Sequence, residues 1–160
     1  MSKILGIDPG LERVGFGCVQ VMGGRSQPLV PVSWGMIRTP KKHTIPQRLQ
    51  EIYTDTMAML QHLQPDVVSI ESLFYFRNHT TLVPVAQARG VILLAVQQAG
   101  VPISEYTPMQ VKQTLTGYGK ASKTQVQQAV QQALGIHEPI GPDDAADGLA
   151  LAITHHRFCG

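Results

Sequence analysis

Two short apolar runs that each end in a carboxylate constrain this chain more than any other feature: Ile4-Leu5-Gly6-Ile7-Asp8 and Val67-Val68-Ser69-Ile70-Glu71. Brief runs of this kind, without a polar alternation, read as central strands of a sheet covered on both faces. A carboxylate that ends such a strand lies beside an apolar core, where its ionised form is costly unless a cation compensates it. A second acidic pair, Asp144 and Asp147, lies in Pro142-Asp143-Asp144-Ala145-Ala146-Asp147. The i, i+3 spacing puts both on one face of a helix. Clustered acids with no Lys or Arg close by point to a divalent cation held by oxygen, and so to chemistry on phosphates.

The rest of the chain reads as an α/β fold with a mixed sheet. Strands are expected over residues 3–8, 14–22 and 29–38, with a hairpin turn around Gly23-Gly24. Helix and strand then alternate: a helix from 45 to 64, the strand 67–71, a helix from 81 to 98, and a short strand 103–106. Pro108 opens a short helix to Leu115, which Gly117-Tyr118-Gly119 breaks. Ser122 is an N-cap for a helix from Lys123 to Leu134, and Gly135 marks its end. A last helix starts near Pro142 and runs to His156. Asp8 and Glu71 then fall at the carboxyl ends of neighbouring parallel strands, the edge where open α/β sheets bind ligands. The alanines around Asp144 and Asp147 (Ala145, Ala146, Ala150 and Ala152) let the last helix approach that edge.

Composition bounds this reading. With 160 residues, 43% of them hydrophobic, the chain has material for one domain, residues 1–160, with its own core. The only two cysteines, Cys18 and Cys159, fit a reducing compartment. No leader pattern is visible and no apolar run is long enough to span a bilayer, so a soluble cytoplasmic protein without membrane contact is expected. The net charge is only +2, but thirteen Lys and Arg face seven Asp and Glu once the four acids are set aside. A polyanion would therefore meet a positive protein.

Oxygen-only ligation favours Mg²⁺ or Mn²⁺ over zinc, since no Cys or His spacing here fits a zinc site. Taken singly, Asp8 could cap the turn at Pro9-Gly10, and Asp144 or Asp147 a helix start. That alternative explains Glu71 badly.

At this point the sequence resembles a known family. Ile4-Leu5-Gly6-Ile7-Asp8-Pro9-Gly10, the segment ending at Glu71, Gln87-Ala88-Arg89-Gly90, Gln110-Val111-Lys112-Gln113, and Asp144-Ala145-Ala146-Asp147 with Leu149-Ala150-Leu151-Ala152-Ile153-Thr154-His155 are similar, in order, to the bacterial RuvC Holliday junction resolvases. The resemblance implies an RNase H-like fold with a five-stranded mixed sheet flanked by helices. It implies a homodimer that resolves four-way DNA junctions by paired symmetric nicks in recombination and repair, with two Mg²⁺ or Mn²⁺ ions per site. It further implies a RuvA-RuvB branch-migration complex as partner. The family's four catalytic acids map onto Asp8, Glu71, Asp144 and Asp147, its functional lysines onto Lys112 and Lys123, and its base-stacking aromatic onto Phe74.

Further DNA contacts are expected from Arg77, Asn78 and Lys120, although a lysine on a solvated helix face needs no such role. Arg38, Lys41, Lys42, His43 and Arg48 either extend the DNA track or form an exposed connection. Tyr75 and Phe76 either stack like Phe74 or anchor their loop. Asp143, i, i+4 from Asp147, either faces the site or caps the last helix. The helix at 81–98 is apolar around much of its circumference, which suits either a second buried interface such as a two-fold dimer or a third buried layer within the monomer. None of the histidines, His155 included, is assigned a catalytic role. The Gly-Ile-Asp-Pro-Gly start also occurs in the actin and sugar-kinase fold group, which generally needs two such domains. A DNA-binding module without catalysis is the third alternative, which four intact acids disfavour.

Overall fold

The structure, a computed structural model, describes residues 2–24, 28–73 and 79–159. Its elements run β1 (Ser2–Asp8), β2 (Arg13–Val21), β3 (Leu29–Arg38), α1 (Ile45–Leu63), β4 (Val67–Glu71), α2 (His79–Gln98), β5 (Ile103–Tyr106), α3 (Pro108–Thr116), α4 (Lys123–Leu134) and α5 (Asp143–Cys159). The five strands form one sheet in the order β3-β2-β1-β4-β5. The pairs β1–β2 and β2–β3 are antiparallel, whereas β1–β4 and β4–β5 are parallel. The expected five-stranded mixed sheet is therefore present, and β1, β4 and β5 all end on one edge.

Period-two alternation sorts each central strand between two cores. Leu5 and Ile7 of β1 and Val68 and Ile70 of β4 point to the face covered by α1 and α2, where they meet Ile52, Leu60, Ala88, Ile92 and Val96. The opposite face is covered by α3, α4 and α5, with Val111, Leu115, Val126, Val130, Leu149 and Ile153 in its core. Gly6 and Asp8 share that second face, as do Ser69 and Glu71. Each acid thus ends a row whose preceding member is small, and small residues admit a helix close to the strands.

Helix α5 uses that room. A Cβ at Gly6 would overlap the Gly148 carbonyl oxygen, and one at Gly17 would overlap Leu149. Gly148 in turn lies directly over the Phe16–Gly17 backbone. The alanines of α5 are buried as expected, but glycines on both partners set the distance of approach. Ser69 fastens the helix from below, donating its hydroxyl to the Leu151 carbonyl at 2.8 Å.

The helix starts follow local chemistry. Thr44, Thr107 and Ser122 each close a capping box with a glutamine three residues on, Gln47, Gln110 and Gln125. Gly117 and Gly135 end α3 and α4 in the left-handed region, where a side chain is strained. Cys18 is buried and Cys159 exposed, and neither is in a disulfide. Among the described residues, no helix is long and apolar enough to cross a membrane.

Candidate active site

The strand register brings the first two acids together. Ile7 pairs with Ile70 across β1 and β4, so Asp8 and Glu71 follow side by side at the strand ends. On its other flank Asp8 pairs with Gly15 of β2. A Cβ at Gly15 would collide with the Asp144 backbone, and the missing side chain is what lets the first turn of α5 lie alongside Asp8. Asp8, Asp144 and Asp147 each contribute a carboxylate oxygen to a group whose members all lie within 4.8 Å of one another. Glu71 completes the cluster from the β4 side, hydrogen-bonded to the Asp8 carboxyl.

Electrostatics mark the cluster as uncompensated. Burial is the largest cause that holds the Asp8 carboxyl well above the usual carboxylate range; the hydrogen bond and charge of Glu71 add to it, then the charges of Asp147 and Asp144. Asp147 is pushed up to about 6, again first by burial. The positive charge of Lys123 works against that rise, while Glu71 and Asp144 reinforce it. Like charges at this spacing cannot all ionise unless a cation joins them. Three converging carboxylates and a fourth beside them are a donor set that suits a hard divalent ion.

A cavity of about 240 Å³ opens over the cluster. Asp8, Glu71 and Asp147 line it on one side, with Lys112 of α3 and Lys123 of α4 among its other walls. Val111, Val126 and Leu151 supply apolar lining. Lys120 stands exposed on the turn between α3 and α4 and is no part of this wall. Phe74, Tyr75, Phe76, Arg77 and Asn78 lie outside the described residues.

Asp143 points elsewhere than its neighbour. Its carboxylate lies 3.6 Å from the Lys123 ammonium and accepts a 3.2 Å hydrogen bond from the Gln127 amide. Of the adjacent pair, Asp144 is the one in the converging group. The 38–48 stretch also divides. Arg48 is buried, and its Nε donates to Thr39 Oγ1 at 2.9 Å, while Thr39 donates to the Leu11 carbonyl. His43 pairs with Glu51 at 2.5 Å, and Lys41 lies 3.8 Å from Glu12. Arg48, through Thr39, therefore ties α1 to the segment that follows β1, while His43 is held to α1 itself.

Sequence reasoning placed Arg89 in a family motif but gave it no role. From α2 its Nε donates to the backbone carbonyl of Glu71 at 3.3 Å, and its other end pairs with Glu105 of β5. This ties the end of β4 to the helix beneath it. The available signal was a lone cation in an otherwise apolar helix.

Acids on adjacent strand ends and on a C-terminal helix, over a mixed sheet of this order, define a metal-dependent nuclease of the RNase H-like fold. Within that class the chain belongs to the RuvC family of crossover junction endodeoxyribonucleases, whose family model matches residues 4–155. It is 48% identical over 153 residues to the crossover junction endodeoxyribonuclease RuvC of Syntrophomonas wolfei, covering 96% of this chain and 87% of that protein. The corresponding protein of Brevibacillus brevis is 49% identical over 156 residues, covering 98% and 92%. Among solved structures, Thermus thermophilus RuvC superimposes with a TM-score of 0.90 at 34% identity, covering 98% of this chain and 94% of that one. The same protein in complex with a Holliday junction substrate gives a TM-score of 0.91, covering 99% and 94%. The activity is thus that of a Holliday junction endonuclease of recombination and repair, and the family implies a divalent metal at the acidic triad.

Proposed function

We propose that Asp8, Glu71, Asp144 and Asp147 hold two Mg²⁺ or Mn²⁺ ions over the scissile phosphodiester of a four-way DNA junction. The observation that carries this is the convergence of three carboxylates within 4.8 Å beside Glu71, under a cavity shared with two lysines. Divalent ions bound there supply an activated water and charge relief at the leaving oxygen. The protein's own residues do the rest. Lys112 and Lys123 contact the phosphate and offset the charge that builds up on it in the transition state. Val111, Val126 and Leu151 form the apolar part of the same cavity wall. Phe74 stacks on a base unpaired at the junction, and Arg77, Asn78 and Lys120 grip the backbone around it.

Paired symmetric nicking follows from a homodimer in which each protomer cuts one of two opposed strands. Support for the dimer comes from α2. Val83 is 62% exposed and Leu94 52%, and no atom lies within 4 Å of where a Gly90 Cβ would stand. These positions, spaced seven and four residues apart, lie along one side of the helix and offer an apolar stripe to a second copy. The domain, residues 1–160, acts in the cytoplasm with the RuvA-RuvB branch-migration complex.

A synthetic four-way junction and a linear duplex of matched sequence, each with Mg²⁺, Mn²⁺ or EDTA, test the proposal. Paired cuts are expected in the junction with either metal and none with EDTA. Replacing Asp8 by Asn should lower the rate by about a thousandfold or more. Equal cutting of junction and duplex would reject junction selectivity, and full activity in EDTA would reject the metal site.

A further inference from the structure

We infer that Asp143 is a positioning residue that fixes Lys123 at the wall of the acidic cavity and takes no part in holding the cation. The inference rests on the reading of Lys123 given above. Asp143 opens α5, and its two carboxylate oxygens are divided between successive turns of α4. Oδ2 lies 3.6 Å from Lys123 Nζ, and Oδ1 accepts from Gln127 Nε2 at 3.2 Å. Neither oxygen belongs to the group formed by Asp8, Asp144 and Asp147.

Lys123 needs such a tether. It is the first residue of α4, where the positive end of the helix dipole disfavours a cation. Its long stem is flexible, and its side chain is 59% exposed. An unrestrained ammonium in that position would spend most of its time in water. Asp143, outside the cavity lining, opposes this, while Asp147, one turn further along α5 and part of that lining, draws Lys123 from within. The ammonium is thus shared between two acids spaced i, i+4, one inside the cluster and one outside it. Gln127 holds the outer acid in place, so that the exposed pair acts as part of a three-residue link between α4 and α5. A solitary surface ion pair would be a weak restraint.

The test is a double-mutant cycle in the full chain, read as the cleavage rate of a four-way junction at saturating protein. Asp143→Asn keeps the size and the hydrogen bond to Gln127 but removes the charge. It should slow cleavage about tenfold beside wild type, and less than about twofold where Lys123 is already Ala. Asp143→Glu should retain most of the activity. Junction affinity of Asp143→Asn should be unchanged or slightly tighter, because a negative charge has gone. Calorimetric titration with Mn²⁺ should give the same dissociation constant for Asp143→Asn as for wild type, in contrast to Asp144→Asn. Equal losses from Asp143→Asn in both backgrounds, or weakened Mn²⁺ binding, would overturn the inference and leave the role of Lys123 standing. Wild-type cleavage by Lys123→Ala would overturn both.

Discussion

The two edges of the sheet treat their acids differently. At the amino edge, Asp66 just before β4 accepts a 2.8 Å hydrogen bond from the Lys3 backbone amide, and its own amide donates back to the Lys3 carbonyl. The Lys3 ammonium reaches the Leu63 carbonyl a few residues away. That carboxylate is matched to donors and stays in contact with solvent, and its work is to pin the start of β4 to β1. At the carboxyl edge, Asp8 and Glu71 close the same two strands, yet the Asp8 carboxyl is hydrogen-bonded to Glu71 and faces the charges of Asp147 and Asp144. Position at a strand end does not make a carboxylate reactive. What distinguishes the two edges is burial without a compensating donor, which leaves one edge in need of a cation and the other complete.

Arg89 offers the sharpest way to break that contrast, since it steadies the reactive edge without touching the acid group of Glu71. Its side chain is only 15% exposed, so Arg89→Met removes a mostly buried donor and leaves the Glu71 carbonyl and Glu105 without it. Cleavage should fall by about tenfold or more through misplacement of Glu71, with Arg89→Lys recovering only part. Unchanged cleavage by Arg89→Met would show that β4 holds its position unaided.

A smaller effect is expected from pH. Asp147 is pushed from the ordinary carboxylate value up to about 6 in the metal-free fold, so the folded state binds its proton more tightly than the unfolded chain. Stability from this group is complete below about pH 4 and is lost as pH rises through 6. Asp8 acts in the same direction. The midpoint of thermal unfolding in EDTA should therefore fall by several degrees over that interval, and Asp147→Asn should flatten the slope. A slope of opposite sign would mean that the cluster is already compensated by the protein.

The smallest effect belongs to the amino edge. Asp66→Ala should cost about 1 kcal/mol in a denaturant titration, the usual loss for one hydrogen bond. Its junction cleavage should stay within about twofold of wild type. A large loss of cleavage would show that the two edges are coupled.

Much of this arrangement was legible in the sequence, and the reason is periodicity. The apolar runs gave the central strands, and the step of two from Gly6 to Asp8 and from Ser69 to Glu71 follows from the pleat. Asp144 and Asp147 were legible as one helix face because three residues make nearly one turn. Contacts between distant segments were not. Gly15 matters because it is the partner of Asp8, which only the register reveals. Arg89 was legible only as part of a family motif, and nothing local to it names the Glu71 carbonyl as its acceptor. Arg48 read as one more cation of an exposed stretch, whereas the fold buries it against Thr39. The choice between Asp143 and Asp144 was likewise undecidable from spacing, because both fall on the first turn of α5 and only the placement of α4 separates them.

The central claim, that the carboxyl edge carries acids the protein does not neutralise, is tested most directly by the thermal stability of Asp8→Asn against wild type at pH 8. In EDTA the variant should unfold at a higher temperature, by about 2–4 °C for each kcal/mol of repulsion removed. Added Mn²⁺ should raise the midpoint of the wild type and leave that of the variant nearly unchanged. A variant less stable than wild type in EDTA, and equally stabilised by Mn²⁺, would contradict the account.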